Sequence, residues 1–141
     1  MANQLDKLIN VPYFMVTFTL PRQLREMMWR HAQVLYKEFF AVSSRCLSDQ
    51  LASKEDGLGA VDSGFFGIMH TWTQLLHYHP HIHYIVPGVG FGGDSDLSRA
   101  AKADYLMPWE PLRDAFVEGF KAMLDAHDLL SACPPEVWEK D

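Results

Sequence analysis

The stretch His77-Tyr78-His79-Pro80-His81-Ile82-His83 places four histidines at alternate positions within seven residues. Imidazole nitrogen suits borderline divalent cations such as Zn, Mn, Co or Ni. In an extended chain, side chains two apart point to one face about 7 Å from each other, so His81 and His83 project together and Ile82 projects the opposite way. A useful site needs at least one further ligand. His70, at the end of the apolar run GFFGIMH, supplies it if that run and HIHYIV pair as antiparallel neighbours. The set His70, His81 and His83 leaves coordination positions open for water or a substrate oxygen, which favours catalysis over a structural role. A solitary H-x-H pair reads more simply as a half-buried polar strand, and the run of four with His70 is what weighs against that reading. His77 and His79 precede Pro80 and fall in the connection, either supporting the ligands or lying in solvent. His31 and His127 sit in helical stretches and read as surface or core-edge residues.

The elements that must position these histidines can be read from periodicity. YFMVTFTL, residues 13–20, alternates Phe14, Val16 and Phe18 against Met15, Thr17 and Thr19, which predicts a strand ended by Pro21. Leu24, Met27, Met28, Val34, Leu35, Phe39 and Val42 then recur at helical spacing, so residues 22–52 are expected to be mostly helix with a break near His31. The Met27-Met28-Trp29 cluster and the Phe39-Phe40 pair read as core. SKEDGLG is a loop, GFFGIMHTW a central strand, and HIHYIV a second strand closed by the turn PGVGFGG. Pro80, without an N–H, is best tolerated at the first residue of that strand. The glycine-rich GVGFGG lacks the helix start and lysine of a phosphate cradle and reads as a hairpin turn. From Pro111 to Leu130 the apolar positions again follow a helical period, with Pro111 suited to the first turn. Strand, helix, strand, strand, helix fits an α+β fold, an antiparallel sheet with helices packed on it.

Composition sets the bounds. A chain of 141 residues, 48% hydrophobic, can bury one core and is short for two domains, so residues 1–141 are expected to form one. Neither a membrane-spanning run nor a signal-peptide pattern occurs, so the expected location is cytoplasmic, with no membrane partner. Cys46 and Cys133 are isolated, which excludes a disulfide framework and a paired-cysteine zinc set and makes both buried or inert. A formal charge of −6 argues against broad attraction to phosphate backbones, leaving nucleic-acid binding to a local site.

VTFTLPRQL at 16–24, GIMHTWTQLLHYHPHIHYIVPGVG at 67–90 and MPWEPLRDAFVEGFKAML at 107–124, in that order, resemble the rolling-circle insertion-sequence transposases of the HUH endonuclease superfamily, the IS-ninety-one group of two-tyrosine transposases. The resemblance covers nearly the whole chain from about Val11. It implies an HUH endonuclease-like palm and a protein that nicks and rejoins single-stranded DNA in transposition and recombination. It further implies a divalent metal ion (Mg, Mn or Zn) held by His81 and His83, a tyrosine that attacks phosphorus, and a 5′-phosphotyrosine that conserves the bond energy. Related relaxases carry a third histidine eleven positions before the first of the pair, where His70 stands.

The chain also departs from the family pattern. The nucleophilic tyrosines of the family lie on a helix in a motif like YLxRY downstream of the segment matching PWEPLRDAFVEGF, and nothing of that kind occurs before Asp141. The nucleophile is thus expected beyond the C-terminus, with no catalytic residue assigned among Tyr13, Tyr36, Tyr78, Tyr84 and Tyr105. The cysteine-rich zinc-binding region that usually precedes the first strand is likewise missing, and Val117 and Glu118 stand where relatives commonly carry basic residues. The expectation is the metal-binding middle of a transposase, incomplete at both ends. Its expected partners are single-stranded DNA or DNA ends, together with a second copy or a full-length transposase. One alternative is a catalytically inactive fragment that regulates by binding DNA or transposase. Another is a small histidine-metal enzyme of cupin type, disfavoured because YIVPGVG at 84–90 lacks the glutamate that cupins place after the pair. An amidohydrolase needs a far longer chain to close its barrel.

Overall fold

The computed structural model describes residues 12–53, 64–91, 97–100 and 107–139. Strand β1 (Tyr13–Thr19) is followed by a 3₁₀ turn, Arg22–Leu24, then α1 (Arg25–Arg30) and α2 (Ala32–Ala52). After β2 (Phe66–Trp72) and β3 (Tyr78–Pro87) come the short strands β4 (Val89–Phe91) and β5 (Leu97–Ala100), then α3 (Trp109–Ala126). β1, β3 and β2 form an antiparallel sheet in that order, with β3 central, and β4 pairs with β5 separately. The expected α+β architecture with helices on an antiparallel sheet is what the chain adopts. The described strands make an open three-stranded sheet and a separate two-stranded one, not the barrel that a cupin requires.

Alternation decides which face meets the helices. Phe18 of β1 and Ile82, Tyr84 and Val86 of β3 are buried, while Tyr13, Met15, Thr17 and Thr19 are exposed. Against the buried face lie Leu35, Phe39, Val42 and Cys46 of α2 and Leu112, Phe116 and Phe120 of α3, each set at spacings of three and four. Phe116 packs edge-on to Phe18 with ring centroids 5.0 Å apart and lies 5.9 Å from Phe39, so one aromatic group joins β1, α2 and α3. Burying a side chain such as Phe39 contributes roughly 1.5–3 kcal/mol relative to leaving it exposed. Inside this core the Tyr84 hydroxyl meets Ser43 Oγ at 2.7 Å, and Ser43 donates to the Phe39 carbonyl.

Several boundaries differ from expectation for physical reasons. The helix does break at His31, whose φ of −117° and ψ of 32° leave the helical region, and α2 restarts at Ala32. β3 begins at Tyr78 rather than at Pro80, because Tyr78 pairs with Trp72 across a one-residue register shift. Pro80 falls inside that shift and beyond the last β1 pair, Thr19 with His81, so its missing N–H breaks no ladder bond. His79 therefore stands on the strand, and only His77 remains in the connection. VGF of the expected hairpin turn is strand β4; Gly92 and Gly93 lie outside the described residues, as do most of SKEDGLG and Tyr105. Met28 is buried as expected, but Trp29 is 60% exposed, so that cluster is only partly core. Both cysteines are buried, and burial raises their thiol pKa values.

Candidate metal centre

The face of the sheet turned away from the helices carries the histidines. His70 on β2 pairs directly with His81 on β3, and His83 lies between Ile68 of β2 and Thr17 of β1. Ring centroids of His70 and His81 are 5.3 Å apart, those of His70 and His83 5.1 Å, and those of His81 and His83 4.8 Å. One ligand nitrogen from each of the three rings lies within 4.8 Å of the others, so three imidazoles from two adjacent strands converge on one point. Three nitrogens each about 2.1 Å from a common cation must sit somewhat closer than this, a change within the reach of small ring rotations.

Two hydrogen bonds aim the rings. His81 Nδ1 lies 2.6 Å from the His79 carbonyl oxygen, which can only accept, so Nδ1 carries the proton and Nε2 is left with its lone pair. His83 Nδ1 lies 2.8 Å from Thr17 Oγ1, its cross-strand neighbour. With Thr17 accepting, His83 likewise presents Nε2. His83 has its pKa lowered by desolvation and by the neighbouring His81 and His70 rings, which keeps it neutral and able to bind a cation. The cluster contains no carboxylate, so the residues fit an imidazole-only site that would leave a divalent cation its full charge for an anion.

Of the remaining histidines, His79 stacks beside His81 at 5.3 Å, and its Nδ1 accepts from Arg25 Nη2 at 2.8 Å. That nitrogen is unprotonated, and burial, the Arg25 charge and His81 lower the His79 pKa. His79 is thus a supporting group, whereas His77 is exposed, its backbone N–H bonded to Thr73 Oγ1. His31 and His127 are exposed and outside the cluster, His127 lying 4.0 Å from Glu38. Thr17 and Arg25 had no role in the sequence reading. Thr17 could have been found, because it faces the same side as the histidines once β1 and β3 pair; nothing in the sequence singles out Arg25.

The tyrosines sort by face. Tyr84 is buried beneath β3, on the helix side. The Tyr78 hydroxyl is 2.6 Å from that of Tyr36 on α2, and burial with this bond pushes its pKa up, away from the phenolate. Tyr13 shares the histidines' face but pairs with Pro87, four residues along β1 from Thr17.

Comparison with known proteins gives a consistent picture. Residues 64–132 match the family described as Putative transposase. Over 127 residues the chain is 33% identical to the putative transposase y4qJ of Sinorhizobium fredii; this covers 87% of the chain and 31% of that relative's length. Among solved structures, the conjugative relaxase TrwC, in a metal-bound complex with oriT DNA, matches with a TM-score of 0.52 and 14% identity, covering 80% of this chain and 43% of that one. The chain shares that relaxase's fold, and it spans about a third of the curated relative it matches.

Proposed function

We propose, on the premise that the chain is an HUH-type transposase core, that His70, His81 and His83 hold a divalent cation at which a phosphate of single-stranded DNA is positioned for nicking and rejoining. The premise is supported by the family match, the 33% identity to a putative transposase and the relaxase fold. The observation that carries the reading is the convergence of the three ligand nitrogens on an open sheet face.

When bound, the cation would polarise a non-bridging phosphate oxygen and offset charge developing at phosphorus. The chain's own groups do the positioning. The His79 carbonyl fixes the His81 tautomer, and Thr17 steadies His83. Because β3 is the central strand, its side chains are held from both sides by β1 and β2, a rigid base for a site that must keep its geometry. Thr19, Thr17 and Met15 of β1 keep the approach open, being exposed on that same face. The net charge of −6 gives little general attraction for DNA, so binding depends on this site.

A second reading, DNA binding without strand cleavage by the described residues, is favoured by the tyrosines: Tyr84 is buried, the Tyr36 and Tyr78 hydroxyls are bonded to each other, and Tyr13, though on the histidines' face, stands opposite Pro87 at the far end of β1. A nucleophile delivered to the site and a purely regulatory role both use the same metal centre. The test common to them is binding of a labelled single strand with and without Mn²⁺. Binding that needs the cation and is lost in the His81→Ala, His83→Ala double variant is expected, and cation-independent binding that survives the substitutions would contradict the proposal.

A further inference from the structure

We infer that Arg25 and Trp29 of α1 form a nucleotide subsite beside the histidine cluster, with the Arg25 guanidinium taking a backbone phosphate and Trp29, backed by Trp72, taking the adjoining base. The inference rests on the reading of the cluster as a DNA-phosphate site and adds the residues that would hold the neighbouring nucleotide.

Arg25 is half-buried, yet among the described residues no carboxylate pairs with it. Its hydrogen-bond partner is the unprotonated Nδ1 of His79, which carries no charge to balance it, and its buried Nε–H has no acceptor. The other arginines in ion pairs behave differently: Arg30 lies 2.7 Å from Glu26, and Arg113 lies 3.0 Å from Asp114. A partly desolvated guanidinium without a counter-ion is costly, and its planar fork of donors suits the oxygens of a phosphate. Glu26, its chain neighbour, is engaged by Arg30. The position is right for a substrate that continues past the metal, because the His79 ring that Arg25 holds is 5.3 Å from the His81 ring.

Trp29 follows Arg25 by one helical turn, and residues four apart share a helix face. Its ring is 60% exposed and meets Trp72 edge-on at 6.1 Å and Tyr78 at 5.2 Å. Trp72, itself 48% exposed, lies two residues beyond His70 on β2. The Tyr78–Tyr36 hydroxyl bond ties this aromatic group to α2. Two half-exposed tryptophans held in place next to an uncompensated cation match the two halves of a nucleotide, an aromatic face for the base and positive charge for the phosphate. An apolar protein surface would use the tryptophans alone and leave Arg25 unexplained.

The experiment compares untagged parent protein, Arg25→Gln and Trp29→Ala in Mn²⁺. Affinity for a fluorescein-labelled mixed-sequence single strand is measured by anisotropy across a salt series, with an abasic strand as control. Arg25→Gln is expected to bind about tenfold more weakly and to flatten the log affinity against log salt slope by about 0.7, the signature of one lost phosphate contact. Trp29→Ala is expected to weaken binding at least about fivefold with an unchanged slope, and to match the parent on the abasic strand. Because Trp29 is exposed, that variant keeps the core intact should Arg25→Gln fold poorly. If the parent binds Mn²⁺ and DNA and both variants equal it in affinity and slope, the subsite is wrong while the metal-site reading stands. If the parent takes up neither Mn²⁺ nor DNA, the reading beneath the subsite fails and the subsite falls with it.

Discussion

His70 on β2 stands directly opposite His81 on β3, with ring centroids 5.3 Å apart, and this cross-strand pairing turns an H-x-H segment into a three-histidine cluster. The pairing places the rings through backbone register, so the site is as rigid as the sheet. Groups that orient the rings should therefore tune metal affinity without changing stability.

Thr17 is the clearest such group, because its hydroxyl lies 2.8 Å from His83 Nδ1 on an exposed strand position. Thr17→Val should weaken Mn²⁺ or Zn²⁺ binding about tenfold or more. Its thermal unfolding should stay within about 0.5 kcal/mol of the parent. Calorimetric titration beside a melting curve checks both.

Protons compete with the cation for the same nitrogens. His83 has its pKa lowered in the folded protein, so it stays neutral to a lower pH than free imidazole, whose pKa is about 6.5. Metal affinity should hold near pH 8 and fall as the pH drops into the imidazole range, about 6.5, with His83 resisting its proton to below that value. Titrations across this range would contradict the assignment if affinity already fell steeply above about pH 7.5.

Gly67 on β2 pairs with Tyr84, and a Cβ built there would collide with the Tyr84 ring. That ring is held by Phe18 and Phe65 edge-on at 5.7 and 5.5 Å and by Ser43, so it cannot move freely. Gly67→Ala should cost about 1–3 kcal/mol of stability, read as a lowered urea midpoint. An unchanged midpoint would show that the β2–β3 approach is looser than described.

On the proposed reading, the two faces of the sheet also set where DNA would attach. Peptide mapping of protein incubated with single-stranded DNA and Mn²⁺ should find no nucleotide adduct on Tyr36, Tyr78 or Tyr84, because Tyr84 is buried and the Tyr36 and Tyr78 hydroxyls are bonded to each other. An adduct on Tyr84 would require β3 to turn its buried face outward, and one on Tyr36 or Tyr78 would require their shared hydroxyl bond to break.

Much of this arrangement was legible in the sequence because it depends on short-range periodicity. The alternation of Phe14, Val16 and Phe18 gave β1, the spacing of Leu35, Phe39 and Val42 gave α2, and the H-x-H alternation gave the shared face of His81 and His83. His70 was within reach because strands β2 and β3 are close in sequence and form a hairpin. What escaped depends on contacts between distant parts of the chain. Thr17 is 66 residues from His83 and comes into view only once β1 is paired with β3, and Arg25 is 54 from His79, a separation at which no local pattern carries information. The early start of β3 was missed because Pro80 reads as a strand breaker, and only the register shift opposite it removes the conflict. Trp29 looked like core because apolar type alone does not distinguish a buried ring from one held against other aromatics at the surface.

Calorimetric titration of untagged protein with Mn²⁺ and Zn²⁺ tests the central claim most directly, comparing the parent with His70→Ala and with the His81→Ala, His83→Ala double variant. One site per chain in the parent, weakened in His70→Ala and absent in the double variant, is the predicted result. Undiminished binding in the double variant would show that the histidine face of the sheet is not a metal centre.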